Sequence, residues 1–325
     1  MKVAVVGCGG MGQWHAQSYA KMPGVELVGV CDHVMAYAED AAKKWGTAAF
    51  GSFEEMLAAV SFDVVSVAVP TFVHKEVVLQ AARAGKHVIC EKPVALHLED
   101  AREMISCCEE NEVRLFIGHV VRFFPEYAQM KQQIDNGHIG KVGVANARRV
   151  GGHPGEARSW FMEADKSGGV IVDLMVHDID FMRWTLGEVK SVYGMNKCEG
   201  SMDYALVTLV FESGAVANLE AFWGYPGSFR YAVEFAGSEG LVRTDSMSAQ
   251  SLQIRKVSPK ESGAKVVEIP QSPNFFDPYY IELEHFLTCI REGSDPIVTV
   301  HDACKALEIA KAALESIRTG KVVLL

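Results

Sequence analysis

The chain has 325 residues, 49% of them hydrophobic and 22% charged, with a formal net charge of -10 and eight cysteines. A single core tends to split as a chain approaches about 250–300 residues, so two domains are expected, and the composition excludes a disordered, collagen-like or disulfide-built chain. The acidic balance excludes nucleic acid and anionic membrane surfaces as partners, because either would need a basic face. No run comes near the roughly 18 apolar residues that span a bilayer, and the N-terminus enters a short strand at once rather than a leader. No cysteine pair has the C-x-x-C spacing of a zinc or redox site, so the thiols read as buried and reduced, and no metal is expected. Cytoplasm is the expected compartment.

Along residues 1–121 short β-branched runs alternate with helical ones. Strands are predicted at 3–6, 26–31, 64–69, 87–90 and 114–117, and helices at 12–21, 35–45, 53–60, 74–84 and 98–111, where apolar residues recur at helical spacing. Ser52-Phe53-Glu54-Glu55 is a capping box with Ser52 as N-cap. Such alternation is the signature of a parallel sheet with crossover helices.

After 121 the texture changes. A helix near 124–136, a strand at 142–150, a glycine-rich loop and one long helix at 170–186 lead into strands at 189–198, 205–212, 216–223, 231–236 and 241–244. Turns such as Ser213-Gly214, Pro226-Gly227 and Ser238-Glu239-Gly240 separate these strands. Strands joined by such short turns are expected to be antiparallel, and helices at 278–292 and 300–319 close the chain. The expected fold class is an α/β domain on a doubly wound parallel sheet, residues 1–121, followed by an α+β domain with an open, predominantly antiparallel sheet, residues 122–325.

Gly7-Cys8-Gly9-Gly10-Met11-Gly12 fits G-x-G-x-x-G directly after one predicted strand and before a helix. In a dinucleotide site Gly7 permits the tight turn, Gly9 lets a pyrophosphate approach the backbone, and Gly12 lets the helix pack close to the strand. The phosphates rest on the helix's free N–H groups. A glycine-rich turn without a ligand is the alternative. Asp32 ends the second strand, where a carboxylate accepts hydrogen bonds from ribose hydroxyls and repels a 2′-phosphate. This favours NAD over NADP, with His33 softening the preference; a plain turn-forming aspartate is the alternative. Pro70-Thr71 follows strand 64–69 and bounds the same ligand edge of the sheet.

Glu91-Lys92-Pro93 follows strand 87–90, so Lys92 emerges at the carboxyl edge of the sheet, with Pro93 restricting it to extended conformations. There it is suited to polarise or deprotonate a hydroxyl; a solvated charge pair is the alternative. On the helix at 170–186, Asp173, His177 and Asp180 fall at i, i+4 and i+7 and share one face. A carboxylate beside an imidazole fixes its tautomer, as a proton relay needs. A satisfied core histidine and a metal site are the alternatives, the latter without a third ligand at telling spacing.

Taken together, these residues resemble the Gfo/Idh/MocA family (glucose-fructose oxidoreductase, inositol dehydrogenase, rhizopine catabolism), in particular its inositol-dehydrogenase branch. The likeness runs along the whole chain. It is carried by Gly7–Gly12, Pro70-Thr71-x-x-His74, Glu91-Lys92-Pro93, Gly118-x-x-x-Arg122-Phe123-x-Pro125, Ser167-Gly168-Gly169 and Asp173-x-x-x-His177-x-x-Asp180, and by the closing Phe286-x-x-x-Ile290-x-x-Gly293 and Ala310-x-x-Ala313-x-x-Ser316. The resemblance implies a Rossmann domain at 1–121, a substrate-binding and oligomerisation domain at 122–325, and a catalytic trio of Lys92, Asp173 and His177. It implies cofactor contacts from Gly7, Gly9, Gly10, Met11, Gly12, Asp32, His33, Pro70, Thr71, His74, Glu91 and Lys92. Substrate contacts are implied for Arg122, His153, Arg158 and Trp160 beside Asp173 and His177. The implied reaction moves a hydride between a ring hydroxyl of a cyclitol or sugar derivative and the nicotinamide, with a homodimer or homotetramer formed through the open sheet. An NAD-dependent glycosidase of the same fold and a non-catalytic dinucleotide sensor are the competing readings. Thr71, where relatives often carry asparagine, and Leu174-Met175, in place of smaller residues, are departures that put the cofactor contact and cleft width in question.

Overall fold

The computed structural model describes residues 1–247, the backbone of 253–256, and 277–325. The chain forms two compact units, Met1–Val120 with Phe276–Cys304, and Val121–Phe275 with Lys305–Leu325.

The first unit is built on six strands, β1 (Lys2–Val6), β2 (Glu26–Cys31), β3 (Ala48–Phe50), β4 (Val64–Val67), β5 (His87–Glu91) and β6 (Leu115–Gly118). All pair in parallel, in the order β3-β2-β1-β4-β5-β6. The inner strands are buried on both faces, with Val3, Ala4, Val5, Val64, Val65 and Val88 fully enclosed, as a sheet covered by crossover helices requires. Those helices are α1 (Gly10–Lys21), α2 (Met35–Trp45), α3 (Phe53–Ala59), α4 (His74–Arg83) and α5 (Leu98–Glu110). Ser52 caps α3 by accepting from the Glu55 N–H at 3.2 Å. The strand order reverses between β1 and β4, and the carboxyl edge at such a reversal is where open sheets bind ligands. This is the doubly wound Rossmann arrangement.

The helix Pro278–Glu292 also belongs to this unit. Phe286 stacks on Phe116 at 5.0 Å and Tyr279 on Trp14 at 6.0 Å, while the Arg114 guanidinium donates to the Cys289 and Ser294 carbonyls. These compact units differ from the expected division at 121/122 in one segment, because residues 276–304 pack with the first unit. The cause is apolar pairing across the length of the chain, which no local pattern encodes.

Three histidines here resist protonation. Burial holds the His74, His87 and His285 rings below the ordinary value of 6.5, with Arg114 adding to the effect at His87. The unfolded chain takes up these protons near pH 6.5 and the folded chain only at lower pH. Their contribution to stability is therefore complete above 6.5 and is lost as pH falls through the folded values. The melting temperature is expected to decline between about pH 6.5 and 5, and to decline less steeply in His74→Gln. Equal slopes in the two proteins would contradict this.

In the second unit eight strands run in the order β13-β12-β11-β7-β10-β9-β8-β14. They are β7 (Val142–Gly151), β8 (Val189–Glu199), β9 (Met202–Phe211), β10 (Val216–Trp223), β11 (Arg230–Gly237), β12 (Gly240–Asp245), β13 (Gln253–Lys256) and β14 (Val323–Leu324). β7 and β10 pair in parallel and the other neighbours are antiparallel. β10 and β11, joined by the short loop 224–229, run antiparallel as expected but are not neighbours, because β7 lies between them. The loop crosses the end of β7, where the Gly224 and Tyr225 N–H groups both donate to the Gly151 carbonyl, at 3.0 and 2.9 Å. It has to span two strand spacings of only about 4.8 Å each.

Burial alternates along β9 and β10. Ala205, Val207, Leu209 and Phe211, with Ala217, Leu219, Ala221 and Trp223, form the enclosed face. The helices of this unit are α6 (Pro125–Asp135), α7 (Ala164–Ser167) and α8 (Val176–Leu186). With Pro278–Glu292 as α9, α10 (Val300–Thr319) closes the series and packs on β8, where a Cβ at Gly194 would stand 3.0 Å from the Ala313 carbonyl oxygen. All eight cysteines are free thiols and six of them are buried. Among the described residues, no helix is long and apolar enough to cross a membrane.

Candidate functional site

The fingerprint turn of the first unit leaves no room for side chains. Gly7 has φ +95°, and a Cβ there would stand 2.4 Å from the Ala68 carbonyl oxygen; one at Gly12 would stand 1.7 Å from that of Gly7. Glycine is obligatory at both positions. Gly9 is the N-cap of α1, no side chain caps the helix, and its first turn, with Gly10, Met11 and Gly12, holds no acidic residue. Orphan N–H groups and a positive dipole end thus meet at a first turn without acidic side chains of its own, which fits a pyrophosphate.

Asp32 is 8% exposed. Its Oδ2 accepts from the Cys8 N–H at 2.8 Å and its Oδ1 from the Val34 N–H at 2.9 Å, with His33 Nδ1 3.2 Å away on an exposed ring. Its first task is to hold the fingerprint loop to the end of β2. Each oxygen keeps further acceptor capacity for a ribose hydroxyl. Beyond β2 and β4, Val34, Met35, Tyr37 and Phe72 are exposed. Sequence reasoning did not single them out, and they add exposed apolar surface beyond these strands.

Pro70 precedes a 3-10 turn, Thr71–Val73, in which Thr71 is buried. His74 is buried with Nδ1 3.0 Å from the Pro93 carbonyl oxygen and Nε2 3.1 Å from that of Val69. The neutral ring carries one N–H and so donates to one of these two backbone carbonyls, while lying between the segment after β4 and the segment after β5. Lys92 is half-buried and its peptide bond to Pro93 is cis. Glu91 is buried at the end of β5, with Oε1 2.9 Å from His15 Nε2. Burial pushes its carboxyl up, but the hydrogen bond from His15 and the positive field of His15, Lys92 and His74 outweigh it and hold the group below the usual carboxylate range. His15 was missed from sequence because no spacing rule links residues 15 and 91.

In the second unit the long helix expected at 170–186 is two pieces, a π-helical turn, Val170–Met175, running into α8. Such widened turns recur at functional sites. Val170 N–H donates to Asp203 Oδ2 at 2.8 Å, which anchors the turn to the start of β9. Asp173 and His177 are both half-buried. Asp180 departs from the expected stripe. It is 1% exposed and accepts from Arg122 Nε at 2.9 Å and Nη2 at 2.6 Å. Arg122, itself 3% exposed, also lies over the Trp184 ring at 5.0 Å. A guanidinium engaged in this fork is a strut, so the substrate contact expected of Arg122 is not what its surroundings favour. Arg149 makes a second buried fork with Asp178, at 2.9 Å on both arms, and donates to Tyr127 Oη at 3.1 Å.

His153 is buried, accepts from the Gly155 N–H through Nδ1 at 3.0 Å, and packs against Trp223 at 5.2 Å between ring centroids. Phe161 meets Trp223 edge-on at 5.7 Å and stacks on Trp160 at 3.7 Å. Arg158 is exposed beside them. Phe161 and Trp223 extend an aromatic wall from which the sequence had marked only Trp160.

Comparison with known proteins matches both parts of the chain to one family. Residues 1–119 match a family model described as "Oxidoreductase family, NAD-binding Rossmann fold", and residues 131–325 match "Oxidoreductase family, C-terminal alpha/beta domain". The chain is 33% identical to a scyllo-inositol 2-dehydrogenase (NAD(+)) of Bacillus subtilis, over 98% of this chain and 95% of that protein. It is 28% identical to a myo-inositol 2-dehydrogenase of Thermotoga maritima, over 99% and 98% respectively. The crystal structure of GenD2 from gentamicin A biosynthesis, solved in complex with NAD, superposes with a TM-score of 0.88 at 25% identity, covering 100% of this chain and 96% of that one. With a glycine turn too tight for any other residue, an uncapped helix start and matches along nearly its full length, this chain belongs to the Gfo/Idh/MocA family of NAD-binding oxidoreductases.

Proposed function

We propose that the chain is an NAD-dependent dehydrogenase acting on a ring hydroxyl of a cyclitol or sugar-like polyol. The observation that carries this reading is the cofactor turn, Gly7 to Gly12 with Asp32 behind it, and the inositol 2-dehydrogenases among its relatives support the substrate class. Bound NAD supplies the hydride acceptor. Gly7, Gly9, Gly10, Met11 and Gly12 take the pyrophosphate, Asp32 the ribose, with His33 beside it, and Pro70, Thr71, His74 and Glu91 shape the same sheet edge. Lys92 hydrogen-bonds the substrate oxygen that becomes the ketone, His177 takes the hydroxyl proton, and Asp173 orients the imidazole. His153, Arg158 and Trp160 serve substrate contact, and residues 122–325 hold the polyol, apart from the segment that packs on the first unit. The inositol 2-dehydrogenases among the relatives favour this reading over a glycosidase or a sensor.

Incubation with NAD or NADP and a panel of inositols, hexoses and sugar acids tests the reading. Net NADH formation from at least one cyclitol or sugar is expected, with NAD preferred. A released sugar without net NADH, or no turnover across the panel, would sink it.

The outer face of the eight-stranded sheet, bearing Asn146, Asn218, Glu234 and an Arg148–Glu220 ion pair of 3.1 Å, carries both charge signs and can complement a copy of itself. Self-association through it predicts a dimer or tetramer by light scattering, and a monomer at all concentrations would rule it out.

A further inference from the structure

Helix α1 carries two buried polar side chains that reach neighbouring strands. Tyr19 Oη lies 2.6 Å from Ser66 Oγ in β4, and His15 Nε2 lies 2.9 Å from Glu91 Oε1 at the end of β5. His15 is 1% exposed and Glu91 7%. A fold that needed only packing here has cheaper solutions, since well-packed apolar side chains often match or exceed a buried ionic pair in stability. The pair joins two elements that the reaction uses: the helix whose amino end receives the pyrophosphate, and the backbone one residue before Lys92. On the other flank of Lys92, the Pro93 carbonyl oxygen lies 3.0 Å from His74 Nδ1. Glu282 of α9 crowds the same place, because its Oε2 and Glu91 Oε1 each lie 3.5 Å from where a Cβ at Gly118 would stand. The His15 contact thus fixes the Glu91 carboxyl group where a second buried carboxyl group lies close by.

We propose that His15 is a positioning residue for Lys92 and acts through Glu91, coupling the cofactor-binding helix to the lysine that contacts the reacting oxygen. The inference rests on the role proposed above for Lys92. His15 needs no contact with substrate or cofactor to do this.

The test compares His15→Ala with His15→Gln, whose amide nitrogen replaces the Nε2 donor, and with Lys92→Ala. Turnover is read with scyllo-inositol and NAD, and the accessibility of Lys92 is read without substrate by acylation with sulfo-NHS-acetate and peptide mass spectrometry. In His15→Ala, kcat is expected to fall about tenfold or more with KM for NAD within about threefold, and the labelling rate of Lys92 to change several-fold; His15→Gln restores both. Wild-type kcat and wild-type labelling in His15→Ala would overturn the proposal. So would equal losses in both variants accompanied by equal drops in melting temperature, which would mark His15 as packing alone. If Lys92→Ala itself turns over normally, the catalytic role of Lys92 fails, and the labelling comparison still decides whether His15 sets its position.

Discussion

Lys92→Ala and His177→Ala are each expected to lower kcat by about 10²–10⁴-fold, the range that positioned proton transfer contributes, while the dissociation constant for NAD changes by about twofold or less. The split follows from where the groups stand. The contacts assigned to the dinucleotide are made mainly by backbone and by Asp32, in a turn whose shape is fixed by Gly7 and Gly12. Removing a side chain after β5 or at the start of α8 leaves that turn intact. Asp173→Asn should lower kcat less than His177→Ala, because the imidazole loses an orienting charge and keeps its own proton-accepting nitrogen. Stopped-flow NADH absorbance with isothermal titration of NAD measures both quantities. Unchanged turnover in Lys92→Ala and His177→Ala would remove the mechanism, whatever the cofactor affinity.

Arg122→Met is expected to cost about 3–5 kcal/mol of folding stability, since it strands the Asp180 carboxylate in a site that is 1% exposed. The double change Arg122→Met with Asp180→Leu should recover much of the loss, because it removes both charges from an apolar setting. Urea unfolding followed by tryptophan fluorescence is well placed to report this, as Trp184 stacks against the guanidinium. The competing role, a substrate contact, predicts the reverse: near-wild-type unfolding in Arg122→Met with a large rise in KM. The two outcomes do not overlap.

Much of the fold was legible in sequence because its cues are local. Val-rich runs bounded by turn residues marked every long strand, and Ser52 with Glu55 marked the start of α3 to the residue. What escaped has physical reasons. β3 is three residues long, too short to show alternation. The π-helical turn keeps the same apolar dress as an α-helix and differs only in its hydrogen-bond register. The insertion of β7 between β10 and β11 is settled by pairing at long range, whereas the intervening turn looks like any hairpin. The site divides in the same way. Gly7, Gly12 and Asp32 were readable because backbone geometry demands them within one βαβ unit, whereas Arg122 with Asp180 and His15 with Glu91 are meetings between distant segments that periodicity cannot announce. Exposure, which separates Asp180 from Asp173 and His177, emerges only once the helix has neighbours.

The return of α9 to the first sheet has a consequence for how the molecule is made. All six strands of that sheet have been synthesised by Gly118, yet Phe116 and Trp14 wait for Phe286 and Tyr279. During vectorial synthesis the nucleotide-holding half is thus left with an uncovered apolar flank until the later strands have emerged, the interval in which nascent chains aggregate or recruit chaperones. A gene fragment ending near residue 121 would make that interval permanent, so its insolubility would reflect a missing lid of sequence rather than a weak sheet.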